Sequence, residues 1–148
     1  QSKGVEFSLI ANPIKGLNMI AGYSYNDSAV IADNPNSGYL GLRPESAGPQ
    51  NLVNFWSSYT FPEGVLKGFG LGVGGNHASE HKTLHRSNIG TFTLPAYTIL
   101  NASLSYSVNR YTAVVKLDNA LNEKYYTGWS TITPQRLRSI SAGLTYKF

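Results

Sequence analysis

Three histidines spaced four residues apart are the first side chains in this sequence that could do chemistry. His77, His81 and His85 have the spacing that stacks ligands along one side of a helix. However, His77 ends a glycine-rich stretch with strand periodicity, and the other two fall in the connection that follows it. We therefore interpret all three as solvated loop histidines and predict no metal site.

A glycine-rich run is the second candidate for chemistry. Gly68, Gly70, Gly72, Gly74 and Gly75 could suggest a loop that cradles phosphate. Such a loop needs the N-terminus of a helix directly after it, and the residues that follow have the pattern of a loop and another strand. The glycines are better explained as small side chains on one face of a strand. There is no Gly-x-Ser-x-Gly motif, and the 8 Asp and Glu residues form no catalytic group, so we predict no enzyme activity and no catalytic residues.

Aromatic and cationic residues in three polar connections could bind a ligand. Such side chains hold anionic or aromatic groups through stacking and charge pairing. The candidate ligand-binding residues are Arg43 in the first connection, Arg86 in the second, Tyr125, Tyr126 and Trp129 in the third, and Trp56 on a strand. The alternative is that these rings only anchor the loops or pack against another part of the protein.

The elements that would position these residues are β-strands. Alternation of apolar and polar residues is the dominant pattern, and it predicts an all-β, antiparallel fold. Leu104 and Tyr106, for example, alternate with Ser103 and Ser105. Seven strands are predicted, over residues 5–12, 17–26, 53–61, 69–74, 100–108, 111–118 and 139–148.

The connections between these strands alternate in length. Those at 12–16, 62–67 and 109–110 are short, whereas those at 28–49, 80–94 and 119–135 are long. A bacterial outer-membrane barrel has this arrangement, with short turns on the periplasmic side and long loops outside the cell. Charged residues make up only 14% of the chain, against about 25% in soluble domains, and no apolar run approaches the ~20 residues of a spanning helix.

The two faces of the predicted strands also fit a barrel in lipid. On the apolar face, rings gather towards strand ends, as in the aromatic girdles of membrane barrels. The polar face carries Ser, Asn, Thr and Gly, which is typical of a wide, water-filled interior. A soluble barrel with an aromatic core is the alternative. The rings are Tyr23, Tyr25, Tyr59, Phe61, Tyr106, Tyr146 and Phe148.

The number of strands predicts that the chain is a fragment. A sheet in lipid must close on itself, and bacterial barrels have even strand numbers from about eight upwards. Seven strands are odd and too few. We therefore expect residues 1–148 to be a single domain that forms the C-terminal part of a larger barrel.

The end of the chain resembles one family of such barrels. Residues 115–126 resemble the Asn-Leu-Phe-Asp-Lys-Tyr-Tyr segment of TonB-dependent receptors, although Ala120 is extra or replaces an expected residue, and Asn122 stands where Asp is common. Residues 133–136 resemble that family's Pro-Arg entry into the last strand. Residues 144–148 look like the terminal aromatic signal read by the barrel-assembly machinery.

Upstream segments resemble the siderophore branch of the same family. Residues 2–7 look like its Gly-Val-Glu strand start, 13–17 like its first turn, 22–25 like the strand that follows, and 64–74 like another hairpin. The resemblance covers nearly the whole chain. Each motif alone is weak, but their order and spacing together are fairly specific.

The resemblance implies a receptor that imports ferric siderophores across the bacterial outer membrane. The parent would have a barrel of about 22 strands and an N-terminal plug, with this chain as about its last third. The plug, which would meet a TonB-type energy-coupling protein, is absent from these residues, so they should not transport alone. Tyr146 and Phe148 would form the assembly signal. Other expected partners are outer-membrane lipid and lipopolysaccharide.

The siderophore carries its own iron ligands, so no intrinsic cofactor is expected. The basic residues are scattered, which argues against nucleic acid as a partner despite the net charge of +4. Rival functions are a small, complete barrel of about eight strands with an adhesive or structural role, a soluble β-rich binding domain, and an outer-membrane enzyme. The ligand stays open among hydroxamate, catecholate and mixed ferric chelates, cobalamin, haem and sugars.

Overall fold

The computed structural model describes residues 1–34 and 36–148, which fold mainly into antiparallel β-strands. Seven strands form one sheet in the order β1-β2-β3-β4-β7-β8-β11, and two short hairpins, β5–β6 and β9–β10, stand beside it. The strands are β1 Ser2–Ala11, β2 Leu17–Ser28, β3 Asn51–Thr60, β4 Phe69–Ala78, β5 His81–Arg86, β6 Gly90–Leu94, β7 Tyr97–Val108, β8 Tyr111–Asp118, β9 Tyr126–Thr127, β10 Thr133–Pro134 and β11 Ser139–Tyr146. A single 3₁₀ turn covers Glu45–Ala47.

All seven predicted strands are present, and the all-β antiparallel prediction is confirmed. Each strand of the sheet pairs with the next one along the chain, apart from the excursions into the two hairpins. Within the described residues β1 and β11 lie at opposite edges of an open sheet, which gives no support to a small closed barrel. No helix among these residues is long and apolar enough to cross a membrane.

The strand register keeps each predicted face on one side of the sheet. Leu9 is opposite Ala21, which is opposite Phe55, and the same face continues across the other strands to Leu144 and Tyr146. A shift of one residue in any strand would turn its apolar side chains to the polar side. The register therefore defines an apolar face and a polar face that each extend across the whole sheet.

The two ends of the sheet differ in their connections. The short turns at 12–16, 61–68 and 109–110 lie together at one end, which we call the short-turn rim. The long connections at 29–50, 79–96 and 119–138 lie at the other, the long-loop rim. Pro35, in the first long connection, lies outside the described residues.

The long connections contain more regular structure than the sequence predicted. We expected residues 80–94 and 119–135 to be loops, but they contain the hairpins β5–β6 and β9–β10. In β5–β6 the register shifts between Lys82 and Leu84, which interrupts the simple alternation. The strands β9 and β10 have only two residues each, too few to produce a periodic pattern.

Aromatic side chains pack in pairs along the short-turn rim. The rings of Phe69 and Tyr106 lie 4.5 Å apart, and those of Tyr111 and Tyr146 lie 5.0 Å apart. Phe148 continues the row, 5.2 Å from Tyr146 in an edge-to-face arrangement. This places the C-terminal rings of the chain within a row of aromatic residues at one strand end, where we expected rings to gather.

Trp56 lies on the polar face, against the glycines of the neighbouring strand. A Cβ atom added at Gly72 would come 2.5 Å from Cζ2 of the indole, and one added at Gly74 would come 2.5 Å from Cε3. The indole therefore covers the backbone of β4 at both positions. This contact explains two of the glycines that alternate along β4.

Buried side chains are concentrated at the long-loop rim. The apolar face is largely exposed, as with Leu104 and Leu144. By contrast, Ala78, Leu94 and Ile99 are buried where the β5–β6 hairpin leaves the sheet. The long loops thus supply the cover that the strands themselves lack.

Candidate ligand site at the long-loop rim

Arg43 holds the first long loop together. Its Nη1 donates to the carbonyl oxygen of Asn26 at 2.7 Å. Its Nε and Nη2 both donate to the carbonyl oxygen of Gly48, each at 3.2 Å. Weaker contacts reach the Asn26 side chain and the carbonyls of Ala47 and Pro49. The fixed fork of five donors in arginine suits such a set of acceptors. The donors of this predicted ligand-binding residue are therefore used in bonds to its own loop and to the end of β2.

Glu45 and Arg86 join the first long loop to the β5–β6 hairpin. An oxygen of Glu45 accepts a hydrogen bond from the backbone N–H of His85 at 3.0 Å and lies 3.8 Å from Nε of Arg86. The Arg86 guanidinium also stacks over the ring of Tyr39, 4.7 Å from its centroid. A further backbone bond, from Ser87 to the carbonyl of Gly38, closes the same contact. Arg86, a second predicted ligand residue, is thus part of a clasp between two connections.

His85 lies beside the contact between Glu45 and Arg86, in surroundings that favour its neutral form. Burial, the larger effect, lowers the pKa of its imidazole, and the Lys82 ammonium lowers it further, while Glu45 acts in the opposite direction. Its Nδ1 lies 2.9 Å from the Thr91 hydroxyl across the hairpin. The lowered pKa therefore favours the uncharged imidazole in the folded hairpin.

Asn119 organises the third long connection. It is 3% exposed and adopts a left-handed backbone conformation with φ of 50°. Its side-chain oxygen accepts from the N–H of Glu123, and its amide donates to the carbonyls of Glu123 and Arg136. Asn122, also at positive φ, accepts a bond from the N–H of Arg138. These bonds give a physical reason for asparagine at both positions of the motif identified in the sequence.

The third connection folds back onto the polar face and touches the hairpin. The ring of Tyr125 stacks on that of Tyr97, with centroids 4.5 Å apart. Nε2 of His81 lies 3.0 Å from the carbonyl oxygen of Gly128. All three long connections are therefore in contact with one another or with the sheet beside them.

A pocket of about 240 Å³ lies where these three connections meet. Trp129, Thr127 and Gly128 line it from the third, and His81 from the hairpin. Tyr97 and Leu52 form its floor on the polar face of the sheet. The first connection contributes Glu45, Ser46, Gly48 and Pro49. The pocket is smaller than the ~300 Å³ or more of most ligand sites, so a ligand of ordinary size would also contact residues outside it. We call its lining the pocket wall.

A second, more polar crevice of about 250 Å³ lies beneath the third connection. Asn76 and Asn101 of the sheet line it, together with Asp118, Arg136 and the ring of Tyr125. It opens on the same polar face as the first pocket. The two cavities show that the third connection folds over this face and not away from it.

The predicted ligand residues end up in different surroundings. Trp129 lines the pocket and is 54% exposed, which leaves its indole available for contact. Tyr125 stacks on Tyr97 and faces the crevice, and Tyr126 is exposed in β9 opposite Pro134. Trp56 lies on β3 away from these loops.

Sequence reasoning missed several residues that line the pocket. Glu45, Pro49, Leu52 and Tyr97 were not predicted to lie near a ligand. Tyr97 directly follows Pro95 and Ala96 at the start of a strand, which is the only local signal we find. The others come together only when the connections fold.

The three histidines of the sequence have three different neighbours. Nδ1 of His77 lies 2.9 Å from the Thr98 hydroxyl on the apolar face, whereas His81 and His85 contact Gly128 and Thr91. Within residues 1–34 and 36–148, no group of three or more His, Cys, Asp and Glu side chains is arranged to hold a metal ion.

Comparison with known proteins identifies relatives of this architecture. Residues 1–120 match the family model described as TonB dependent receptor-like, beta-barrel. The ferrichrome outer membrane transporter/phage receptor of Escherichia coli K12 is 27% identical over 110 residues, which are 74% of this chain and 14% of that protein.

Solved structures show the same fold at lower identity. The ferripyoverdine receptor of the outer membrane of Pseudomonas aeruginosa, bound to ferripyoverdine, has a TM-score of 0.80 at 19% identity; the match covers 99% of this chain and 19% of that one. The ferric-catecholate import receptor Fiu of E. coli K12, in its closed form, has a TM-score of 0.80 at 18% identity, covering 99% and 21%. The chain therefore spans about a fifth of these structures, less than the third that we expected.

Proposed function

The chain belongs to the TonB-dependent receptor family of outer-membrane β-barrels, and on this premise we propose that it forms the C-terminal part of a receptor that imports ferric siderophores. The family consists of transporters and not of enzymes, and its members lie in the outer membrane. The apolar face of the sheet accordingly meets lipid, and the polar face meets the lumen. The long-loop rim then lies outside the cell and the short-turn rim on the periplasmic side.

The observation that carries the proposal is the pocket formed by the three long connections. It opens on the lumenal face at the outer end of the sheet, where a ligand from outside would first meet the barrel. Trp129 and Tyr97 offer ring faces there, and Glu45 and Ser46 offer polar atoms. A ligand site of this kind combines apolar walls with a few directed polar groups.

Two relatives support the choice of cargo by what their names state. One is a ferrichrome transporter, and another was solved with ferripyoverdine bound. In this proposal the iron arrives with the siderophore as cargo, so the chain itself needs no cofactor. The plug and the energy-coupling protein that it would meet belong to the rest of the receptor.

Roles for the other predicted residues follow from their positions. Tyr125 faces the crevice further along the lumenal face, where it would meet the ligand after the pocket, and the exposed Tyr126 follows it in β9. Arg43 and Arg86 would act on the ligand indirectly, by holding the loops that carry Glu45 and Ser46. Trp56 would face either the passing ligand or the plug. Tyr146 and Phe148 would present the terminal rings to the assembly machinery at the periplasmic side.

The test is binding and uptake of iron-loaded siderophore by the full-length receptor, measured in cells that lack other siderophore receptors. We expect Trp129→Ala to weaken binding about 30-fold or more, as truncation of a central aromatic contact does in many binding sites. Phe92→Ala is the matched control, because Phe92 is an equally exposed ring on the neighbouring hairpin and does not line the pocket. Equal binding by the Trp129 variant and the native receptor would rule out this pocket as the ligand site.

A further inference from the structure

The charges around the pocket give information about the ligand. Among the described residues that line it there is one carboxylate, Glu45, and one imidazole, His81, but no lysine or arginine. The remaining wall is aromatic or apolar, from Trp129, Tyr97 and Leu52 together with a proline. A ligand that enters this pocket therefore meets no lysine or arginine side chain in its lining.

Arg43, Arg86 and Lys82 lie outside the pocket lining and have contacts of their own, and Arg136 lines the separate crevice. The guanidinium of Arg43 donates to backbone carbonyls of its own loop and of β2, with the shortest bond, 2.7 Å, to Asn26 of β2. Arg86 lies against Glu45 and the ring of Tyr39. The ammonium of Lys82 lies 3.4 Å from Nε2 of His85. Freeing Arg43 would leave its carbonyl acceptors without their donor, and freeing Arg86 would separate it from Glu45 and Tyr39.

Ferric chelates differ in charge according to the class of their ligands. A hydroxamate loses one proton when it binds iron, so three hydroxamates neutralise Fe³⁺. A catecholate loses two protons, so three catecholates leave a complex with three negative charges. Moving a charged group out of water is strongly unfavourable unless an opposite charge meets it.

We infer that this wall of the site accepts an uncharged ferric complex of the trihydroxamate class in preference to a trianionic tricatecholate. The inference rests on the proposed function and deepens it, because it names the class of siderophore. The ring of Trp129 packs on the apolar backbone of the complex. The free carboxylate oxygen of Glu45 and the hydroxyl of Ser46 accept hydrogen bonds from amide N–H groups of the ligand.

Equilibrium binding of two radioactive iron complexes to the purified full-length receptor tests the inference. The probes are ferrichrome, which is neutral, and ferric enterobactin, which carries three negative charges. We expect the native receptor to bind ferrichrome at least tenfold more tightly. Tighter binding of ferric enterobactin, or equal binding of the two, would overturn the inference.

A charge added to the wall provides the sharper test. Ser46 is exposed and lines the pocket, so Ser46→Lys places a cation where the native wall has none. Coulomb's law at the dielectric constant of water predicts about a tenfold gain in affinity for the trianion, for charges about 8 Å apart and before screening by salt. Binding of ferrichrome should not tighten, because a neutral complex gains little from a new charge and loses the hydroxyl of Ser46.

Ile89→Lys is the matched control, because Ile89 lies exposed at the tip of the β5–β6 hairpin and outside the pocket. A gain for ferric enterobactin that is equal in the two variants would reflect general charge attraction and would overturn the inference. Heat-modifiable migration in detergent checks that each variant is folded.

The same measurements separate this inference from the proposed function. If the receptor binds and imports ferric enterobactin better than ferrichrome, it is a siderophore receptor and the inference about charge is wrong. If it binds neither of these complexes nor any other of a panel of ferric chelates, the proposed function is wrong, and the inference that rests on it is wrong as well.

Discussion

The two rims of the sheet are held by different kinds of interaction. At the short-turn rim, turns of a few residues join neighbouring strands, and ring pairs such as Tyr111 and Tyr146 line the apolar face. At the long-loop rim, single polar side chains join segments far apart in the sequence. His81 meets Gly128, 47 residues away, and Glu45 meets the backbone of His85, 40 residues away.

Because of this difference, we expect a substitution to affect more of the surrounding structure at the long-loop rim than at the short-turn rim. Turn residues and rings determine the short-turn rim locally, so a change there alters one hairpin. At the long-loop rim, a change in one loop alters the surface that the other two present. Four predictions test this contrast, from the largest expected effect to the smallest.

Replacing Asn119 by Ala should have the largest effect. The change removes three hydrogen bonds from a buried site and leaves alanine at positive φ, which together should cost about 2–4 kcal/mol of local stability. Hydrogen exchange of residues 119–138 in the full-length receptor measures it. Asn109→Ala, at φ of 52° in an exposed turn of the other rim, should cost only about 1 kcal/mol. Similar losses at both positions would show that the rims do not differ in this way.

Replacing Arg43 by Lys should loosen the first long loop. A lysine keeps the charge but cannot reach several carbonyls at once, so we expect a loss of about 1–3 kcal/mol and faster proteolytic cleavage within residues 29–50. Arg110→Lys at the short-turn rim changes an exposed side chain and should leave cleavage of its own turn unchanged. Protection of residues 29–50 in the Arg43 variant equal to the native level would contradict the role assigned to this guanidinium.

Acid should weaken the β5–β6 hairpin more than the short-turn rim. The folded protein lowers the pKa of His85 below its ordinary value of 6.5, so the unfolded hairpin binds a proton more readily than the folded one. The stabilisation is complete above pH 6.5 and is lost as the pH falls through 6.5 towards the lowered pKa. Exchange protection of residues 81–94 should fall over this pH range, while that of the short-turn rim should not. The variant His85→Gln should show a flatter response, and a response as steep as the native one would exclude this histidine as the cause.

Removing the ion pair of the short-turn rim should have the smallest effect. Lys15 and Glu63 are 2.8 Å apart, but their side chains are 74% and 77% exposed, so Lys15→Ala should change stability by less than about 0.5 kcal/mol. Guanidinium unfolding of the receptor measures it. A loss above 1 kcal/mol would show that side-chain contacts stabilise this rim as well.

The sheet could be predicted from the sequence because its signal is local. The alternation of apolar and polar residues around Leu104 predicts which side chains share a face. The register of the strands follows once the faces and the turns are known. Ile10 and Ile20, which are apolar residues at polar-face positions of the alternation, are opposite each other in the sheet. Their pairing could not be predicted, because each one looks like an isolated exception.

The candidate site could be predicted only in part. Trp129 stood out as a large ring in a polar loop, and it lines the pocket. Arg43 and Arg86 stood out as free cations, but the structure engages them with carbonyls and with Glu45. The acceptors of Arg43 are mostly backbone atoms, which every residue carries, so no residue type in the sequence indicates them.

The position of Trp56 also limits how far its side chain extends from the polar face. Because the indole lies over Gly72 and Gly74, it adds about the thickness of a ring, ~3.5 Å, to that face, and not the length of the side chain. A bulkier residue at either glycine would collide with the indole and turn it away from the sheet. The absence of a side chain at two positions of β4 thus keeps the polar face of the sheet flat beside its largest residue.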